Sequence, residues 1–178
     1  MPEAQHQTLQ IPPEVVRYMK GATPQSLQFD FLIGKWNAKG IRYDENGNVQ
    51  LQYTATWRAE YLHDKRMVLD DFTVLAPTGQ EVSCFVTLRT FSEITGRWEL
   101  TGLAAFQPAM IGKWFGDWAD GEMLLSAEAA GPGGATIKNK IRFHGIERDR
   151  FLWESHNSFD DGKTWIKVAS LIATRSKS

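Results

Sequence analysis

Residues 49–60, VQLQYTATWRAE, carry the pattern that decides the fold class. Every second side chain from Val49 to Ala59 is apolar or aromatic, and the side chains between them are polar. Residues 137–144 alternate in the same way, with Asn139 as a polar member of the otherwise apolar face. A period of two with one apolar face is typical of a half-buried strand in an antiparallel sheet. Both stretches therefore predict strands whose apolar faces point into one core.

Short segments rich in β-branched and aromatic residues continue along the chain, separated by turn signals such as Asn46-Gly47 and Asp120-Gly121. Glycine and asparagine are favoured in tight hairpin turns because these turns need positive φ angles. The predicted strands cover residues 35–43, 49–60, 65–75, 81–91, 97–106, 110–118, 122–129, 136–145, 150–158 and 164–174. No segment is typical of a long crossover helix, and closure removes exposed sheet edges. We therefore predict an all-β antiparallel barrel of about ten strands.

The N-terminal part of the chain differs from this pattern. Pro12 and Pro13 suit the start of a short helix over residues 11–20. We therefore divide the chain into an N-terminal segment, residues 1–28, whose short helix caps one end of the barrel, and a barrel domain, residues 29–178. No linker rich in proline, glycine or serine divides the barrel domain further.

Composition and charge exclude several classes of protein. The 178 residues include 42% hydrophobic residues, which suits one globular domain. A net charge of −1 argues against a broad surface for nucleic acid or anionic membranes. The single cysteine, Cys84, excludes an internal disulfide framework and a cysteine-rich zinc site. Because no window has the roughly 18 apolar residues of a membrane span and the N-terminus is polar, we expect a cytoplasmic protein.

Two motifs near the ends of the strand pattern resemble a known family. Residues 29–36, FDFLIGKW, place Gly34 two positions before Trp36 at the start of the first predicted strand, as lipocalin-type (calycin) barrels do. Together with residues 158–165, SFDDGKTW, this motif resembles the bacterial domain-of-unknown-function family 1579. The resemblance implies a lipocalin-like barrel with an internal cavity, in which Trp36 closes one end and Trp165 begins the last strand. It implies no settled activity, because the family is largely uncharacterised.

Aromatic residues make up 12% of the chain and include seven tryptophans. Barrels of this strand number enclose more space than their own side chains readily fill, so a cavity for one ligand is expected. Aromatic walls suit a flat or greasy molecule, although the same residues also suit a packed core. We therefore predict that the lumen binds a small hydrophobic or aromatic molecule. The predicted ligand-binding residues are Tyr53, Trp57, Arg89, Trp114, Trp118, Phe143 and Trp153.

Two of these tryptophans have glycine neighbours on the same predicted face. Trp114 and Trp118 alternate there with Gly112 and Gly116. A glycine beside a tryptophan leaves room next to the ring. This face is therefore a candidate ligand wall, and the alternative is that both rings fill the core.

The direction of Arg89 depends on the register of its strand. If the face that it shares with Phe85 and Thr87 points inward, Arg89 would hold a ligand carboxylate with two hydrogen bonds. If the face with Val86 and Leu88 points inward, Arg89 lies in solvent. We favour the second register.

Two pairs of titratable residues are candidates for chemistry. Asp70 and Asp71 are adjacent, so one carboxylate points inward in either register unless the strand ends or bulges there. A buried carboxylate needs a partner or has its pKa raised. Glu154 and His156 share a face, and acid–base catalysis uses a carboxylate beside an imidazole. For this second pair we favour the solvated outer face.

The alternative function is a metal-independent lyase or isomerase that acts on a hydrophobic small molecule in the same cavity. Its catalytic residues would be His156, Glu154, Asp70 and Tyr53. At least two titratable groups would have to converge on one bound ligand, whereas a binding protein needs only an apolar wall and an anchor. A third hypothesis, a structural or partner-binding module, predicts a filled lumen and an apolar outer patch.

Neither a metal nor a cofactor is expected. Two histidines, His144 and His156, fall in the late strands, whereas a metal site needs three or four ligands with supporting contacts. A haem held by one histidine is an alternative that we do not favour. In the last predicted strand, residues 164–174, Leu171 and Ile172 make opposite faces apolar. This pattern suggests that the outer face is buried, for which a homodimer is the simplest partner.

Overall fold

The computed structural model describes residues 10–105 and 107–177. Ten antiparallel strands form one closed barrel, in which each strand pairs with its neighbours along the chain and the first pairs with the last. The strands are β1 Gly34–Tyr43, β2 Val49–Leu62, β3 Met67–Leu75, β4 Glu81–Ser92, β5 Arg97–Ala104, β6 Gln107–Ala119, β7 Glu122–Ala130, β8 Thr136–Glu147, β9 Arg150–Ser158 and β10 Ile166–Arg175. The predicted all-β antiparallel barrel is confirmed. The predicted segment 1–28 and the predicted strand 97–106 each include residues outside those described.

A short helix and two 3₁₀ turns precede the barrel. Helix α1, Pro13–Met19, is the predicted short helix, and the 3₁₀ turns cover Pro24–Leu27 and Asp30–Leu32. The Arg66 guanidinium donates a hydrogen bond to the Tyr18 carbonyl (2.8 Å) and lies 4.3 Å from the centre of the Tyr18 ring. This contact ties α1 to the turn between β2 and β3. Among the helices described, none combines the length and apolar character that crossing a bilayer requires.

Large side chains fill one end of the barrel, which we call the filled half. The buried members are Phe29, Leu32, Trp36, Trp57, Val68, Trp98, Leu100, Met123, Phe143 and Phe151. Trp36 Nε1 donates a hydrogen bond to the Leu32 carbonyl (2.7 Å), and the Phe29 ring meets the Trp98 ring edge-on, 4.7 Å between centroids. The second 3₁₀ turn therefore packs into this end of the barrel and lies directly over Trp36.

Strand β4 has the register that we did not favour. Phe85, Thr87 and Arg89 point into the barrel, whereas Val86 and Leu88 lie on the outer face with 38% and 41% of their surface exposed. The expectation of a solvated Arg89 was wrong because the neighbouring strand supplies a carboxylate inside the barrel. With that partner, burial of the guanidinium costs less than it would alone.

Candidate functional site

Half-buried aromatic side chains line the other end of the lumen, which we call the open half. They point inward because strand alternation places them on the same face as the buried core residues of their strands. The inward-facing, partly exposed side chains are Tyr53, Phe72, Phe85, Trp114, Asn139 and Trp153. These residues come from β2, β3, β4, β6, β8 and β9, so they surround the lumen. A molecule that enters from this end would meet their rings first.

Several of these rings cover glycines of the barrel wall. The pairs are Tyr53 on Gly40, Phe85 on Gly102 and Trp114 on Gly112. A Cβ added at any of these glycines would overlap the ring that covers it. The rings therefore lie flat against the wall, in space that glycine leaves free, instead of extending across the lumen. The room that the sequence suggested beside Gly112 is occupied by the Trp114 ring itself.

A hydrogen-bond network around Asn139 fixes the Trp114 ring. The Asn139 Oδ1 atom accepts a hydrogen bond from Trp114 Nε1 (3.0 Å), and its Nδ2 donates to Ser155 Oγ (2.9 Å) and Asn157 Oδ1 (2.8 Å). These bonds join β6, β8 and β9 inside the open half. Asn139 was not among the predicted site residues. The available signal was its position on the otherwise apolar face of residues 137–144.

Tyr53 supplies a polar group to the open half. Its ring lies edge-on to Phe72, with 6.5 Å between centroids. Burial raises the pKa of the Tyr53 phenol, and the charge of Arg42 opposes this rise. No hydrogen-bond partner for the phenol occurs within residues 10–105 and 107–177. The hydroxyl is therefore protonated at neutral pH and available to donate or accept a hydrogen bond.

Other predicted ligand-binding residues lie in the filled half. The Trp57 and Phe143 rings are buried, with 5.7 Å between their centroids. Trp118 packs on Phe31 of the second 3₁₀ turn, 6.1 Å between centroids. These three side chains pack within the covered end of the barrel. The remaining aromatic members of the predicted set line the open half.

Asp70 and Arg89 form a buried ion pair between the two halves. Only 2% of Asp70 and 3% of Arg89 is exposed. Asp70 Oδ2 accepts a hydrogen bond from Arg89 Nε (2.7 Å) and lies 2.5 Å from Arg89 Nη2, while Asp70 Oδ1 accepts from Trp57 Nε1 (2.8 Å). The Phe29 ring covers the guanidinium at 4.8 Å. Burial raises the pKa of the Asp70 carboxyl, and the Arg89 charge opposes this rise. The Arg89 guanidinium is therefore paired with Asp70 and is not free to anchor a ligand.

Glu154 and His156 lie on the outer face of β9, with the alternate residues Trp153 and Ser155 facing inward. Glu154 Oε1 accepts a hydrogen bond from Lys167 Nζ (2.5 Å). For Glu154, burial favours a higher pKa, but the hydrogen bond and charge of Lys167 outweigh burial and hold the pKa below its ordinary value. Burial also lowers the pKa of the His156 imidazole. The two side chains therefore do not converge on the lumen with Tyr53.

No family model matches the chain, and no curated protein matches it. Two solved structures have the same architecture. One is Rv2717c from M. tuberculosis, with a TM-score of 0.59 and 13% identity over 88% of this chain and 99% of that chain. The other is the S-type phycobiliprotein lyase CPES from Guillardia theta, with a TM-score of 0.57 and 10% identity over 94% and 99%.

The chain folds as a lipocalin-like barrel. At these identities the likeness shows the fold alone. The resemblance to family 1579 is not confirmed, because no family model matches.

Proposed function

We propose that the open half of this barrel binds a small hydrophobic molecule with an aromatic or otherwise flat skeleton. The observation that carries the proposal is the set of inward-facing rings that lie flat over glycines and keep contact with solvent. Rings in this orientation offer broad apolar surfaces to a ligand without filling the lumen themselves.

The polar groups of the open half support a ligand with at least one hydrogen-bonding atom. The Tyr53 phenol is the group free to bind it, because Asn139 already uses its amide to hold Trp114, Ser155 and Asn157. The phenol can bind a carbonyl or hydroxyl on the ligand, and the positive charge of Arg42 acts on the same phenol. The proposed ligand therefore carries a carbonyl or hydroxyl oxygen at the end that faces Tyr53.

Catalysis in the same cavity is the weaker hypothesis. A barrel of the same fold is named a phycobiliprotein lyase, so the fold itself is compatible with an enzyme. Acid–base chemistry, however, needs two titratable groups at one ligand. Glu154 and His156 lie outside the barrel, and Asp70 is buried with Arg89. This placement leaves Tyr53 without a second group of the predicted catalytic set, which supports binding over proton transfer.

A change of Gly112 to alanine tests the proposal. The added methyl group would overlap the Trp114 indole, so the ring is expected to swing away from the wall into the lumen. We expect Gly112→Ala to weaken binding of the neutral fluorescent dye 1-aminoanthracene about tenfold or more, because overpacking a site costs on the order of 1–3 kcal/mol. The measurement is a fluorescence titration of the purified protein.

Gly116→Ala is the matched control, since Gly116 lies on the same strand. A Cβ at Gly116 would meet Leu125 Cδ2 at 2.7 Å in the filled half. This variant is expected to lose stability and to keep its affinity for the dye. Equal losses of affinity in both variants, or no loss in Gly112→Ala, would contradict binding in the open half.

A further inference from the structure

A groove of about 560 Å³ crosses the outer face of the barrel, on the opposite side of the wall from the lumen. Most of its lining side chains belong to the outward set of their strands, and four inward-facing residues of the same strands also border it, namely Gly40, Tyr53, Trp153 and Leu171. The pairing of β8, β9, β10, β1 and β2 places its main row side by side. That row is His144, Leu152, Ile172, Lys39 and Thr54.

His144 stands at one end of this row with an unpartnered ring nitrogen. The side chain is 17% exposed, and its Nε2 atom is buried without a hydrogen-bond partner. The nearest carboxylate oxygen, Glu154 Oε2, is 4.0 Å away, which is too far for a hydrogen bond. Burial lowers the pKa of the His144 imidazole, so the ring is neutral at neutral pH. A ligand hydroxyl satisfies this nitrogen in either tautomer, because a hydroxyl both donates and accepts.

Lys39 stands three strands away, at the other end of the apolar part of the row. Its side chain is exposed, and no carboxylate of the described residues lies within ion-pair distance of its ammonium group. Glu154, the acidic member of the groove, is paired with Lys167. The Lys39 end is therefore the cationic end of the groove, and it suits a carboxylate on a ligand.

Apolar side chains connect the two ends. Leu152 lies beside His144, and Ile172, which is 45% exposed, lies between Leu152 and Lys39. Three inter-strand spacings separate His144 from Lys39, a distance of about 14 Å between strand axes. Allowing for the reach of the two side chains, this span matches a molecule of about two fused rings.

We propose that this outer groove is a second binding site, for a small amphipathic molecule with an apolar ring body, a carboxylate at the Lys39 end and a hydroxyl at the His144 end. The groove lies on the outer face of the wall whose inner face carries Tyr53 and Trp153, and the proposal does not depend on the function proposed above. The Lys39 ammonium sets the orientation, because no carboxylate of the described residues pairs with it, whereas Glu154 and Lys167 at the His144 end compensate each other.

The probe that tests this site is 6-hydroxy-2-naphthoate, titrated into the full chain and followed by amide correlation spectra. We expect changes in amide chemical shift only for the residues of the outer row on β9, β10 and β1. Lys39→Glu is expected to weaken binding about tenfold or more, because it replaces attraction by repulsion. Lys35→Glu is the matched control: Lys35 is an exposed lysine of the same strand, outside the groove, and its change is expected to leave binding unaltered.

The role of His144 is tested with a second variant and a second probe. His144→Phe is expected to lower the affinity for 6-hydroxy-2-naphthoate about fivefold, which is the usual effect of losing one hydrogen bond. The same variant should bind 2-naphthoate, which lacks the hydroxyl, as tightly as the unchanged protein does. The proposal is overturned if the shifts fall on the Trp114 indole and its neighbours, if Lys35→Glu and Lys39→Glu lose affinity equally, or if no saturable shift occurs.

Discussion

Replacing Arg89 by methionine is expected to lower the free energy of unfolding by about 3–5 kcal/mol. The change leaves the Asp70 carboxylate at 2% exposure with no counter-charge among residues 10–105 and 107–177, where the Trp57 indole remains its donor. A buried charge without a partner loses its hydration without compensation, and this loss dominates the cost. Urea unfolding followed by far-UV circular dichroism measures the effect, with the exposed Arg58→Met as the control for loss of a guanidinium.

A double variant separates the ion pair from simple loss of packing. Arg89→Met combined with Asp70→Asn removes the stranded charge and keeps an oxygen for the Trp57 indole. We expect the double variant to be more stable than Arg89→Met alone, since a buried pair replaced by neutral groups costs little. If the two are equally unstable, the carboxylate charge is not the cause and the account of Asp70 is wrong.

The stability of Arg89→Met should also depend on pH. Burial raises the pKa of Asp70 above its ordinary value of 3.8 in the folded chain, and loss of Arg89 removes the main opposing charge. A carboxyl group with a raised folded-state pKa is more protonated in the folded than in the unfolded chain, so stability is lost as pH rises above the unfolded value. The difference in free energy of unfolding between Arg89→Met and the unchanged protein should therefore increase from about pH 4 to about pH 7.

The barrel was predictable because its strands carry local signals. In β2, one face is apolar from Tyr53 to Ala59 and the other is polar, so period two settled both the strand and its inward side. The hairpins were predictable because their turns need positive φ, which Gly47 and Gly121 supply at 81° and 79°. Each of these signals lies within a few residues of the element that it predicts.

The register of β4 was not predictable from β4. Both of its faces are apolar, since Val86 and Leu88 alternate with Phe85, and a lone arginine favours the solvated side. What decides the register is Asp70, which lies opposite Thr87 and reaches Arg89 across the strand pair. Both charged residues stood out separately in the sequence, but their pairing depends on which residues of β3 and β4 face each other.

Strand pairing also explains which lining residues of the two sites could be predicted from the sequence and which could not. Tyr53 and Trp114 were predictable as lining residues because their own strands alternate. The rings that cover Gly40 and Gly102 were not, because ring and glycine come from different strands. The outer groove was even less predictable from the sequence, because its row combines residues of β8, β9, β10, β1 and β2. These strands lie side by side only once the barrel closes.

Replacing Trp36 by alanine is expected to lower the free energy of unfolding by about 3–5 kcal/mol, the usual cost of deleting a buried indole. The ring is 1% exposed, lies 4.8 Å from Phe151 between centroids, and is covered at 4.1 Å by the Arg175 guanidinium. Its Nε1 also satisfies the Leu32 carbonyl (2.7 Å). Trp36→Phe keeps most of the packing and loses the hydrogen bond, so it should cost about 1–3 kcal/mol. Urea unfolding followed by far-UV circular dichroism measures the loss of stability in both variants.

Trp165→Ala is the matched control, because this half-buried indole lies one residue before β10 and outside the core, where its Nε1 donates to the Gly162 carbonyl (3.1 Å). Its cost should be well below that of Trp36→Ala, since less surface is buried. Trp36 lies at the covered end, so folded Trp36→Phe should bind 1-aminoanthracene as the unchanged protein does. If it instead loses affinity as strongly as Gly112→Ala, packing at the covered end controls the shape of the lumen, and the two halves cannot be treated as independent.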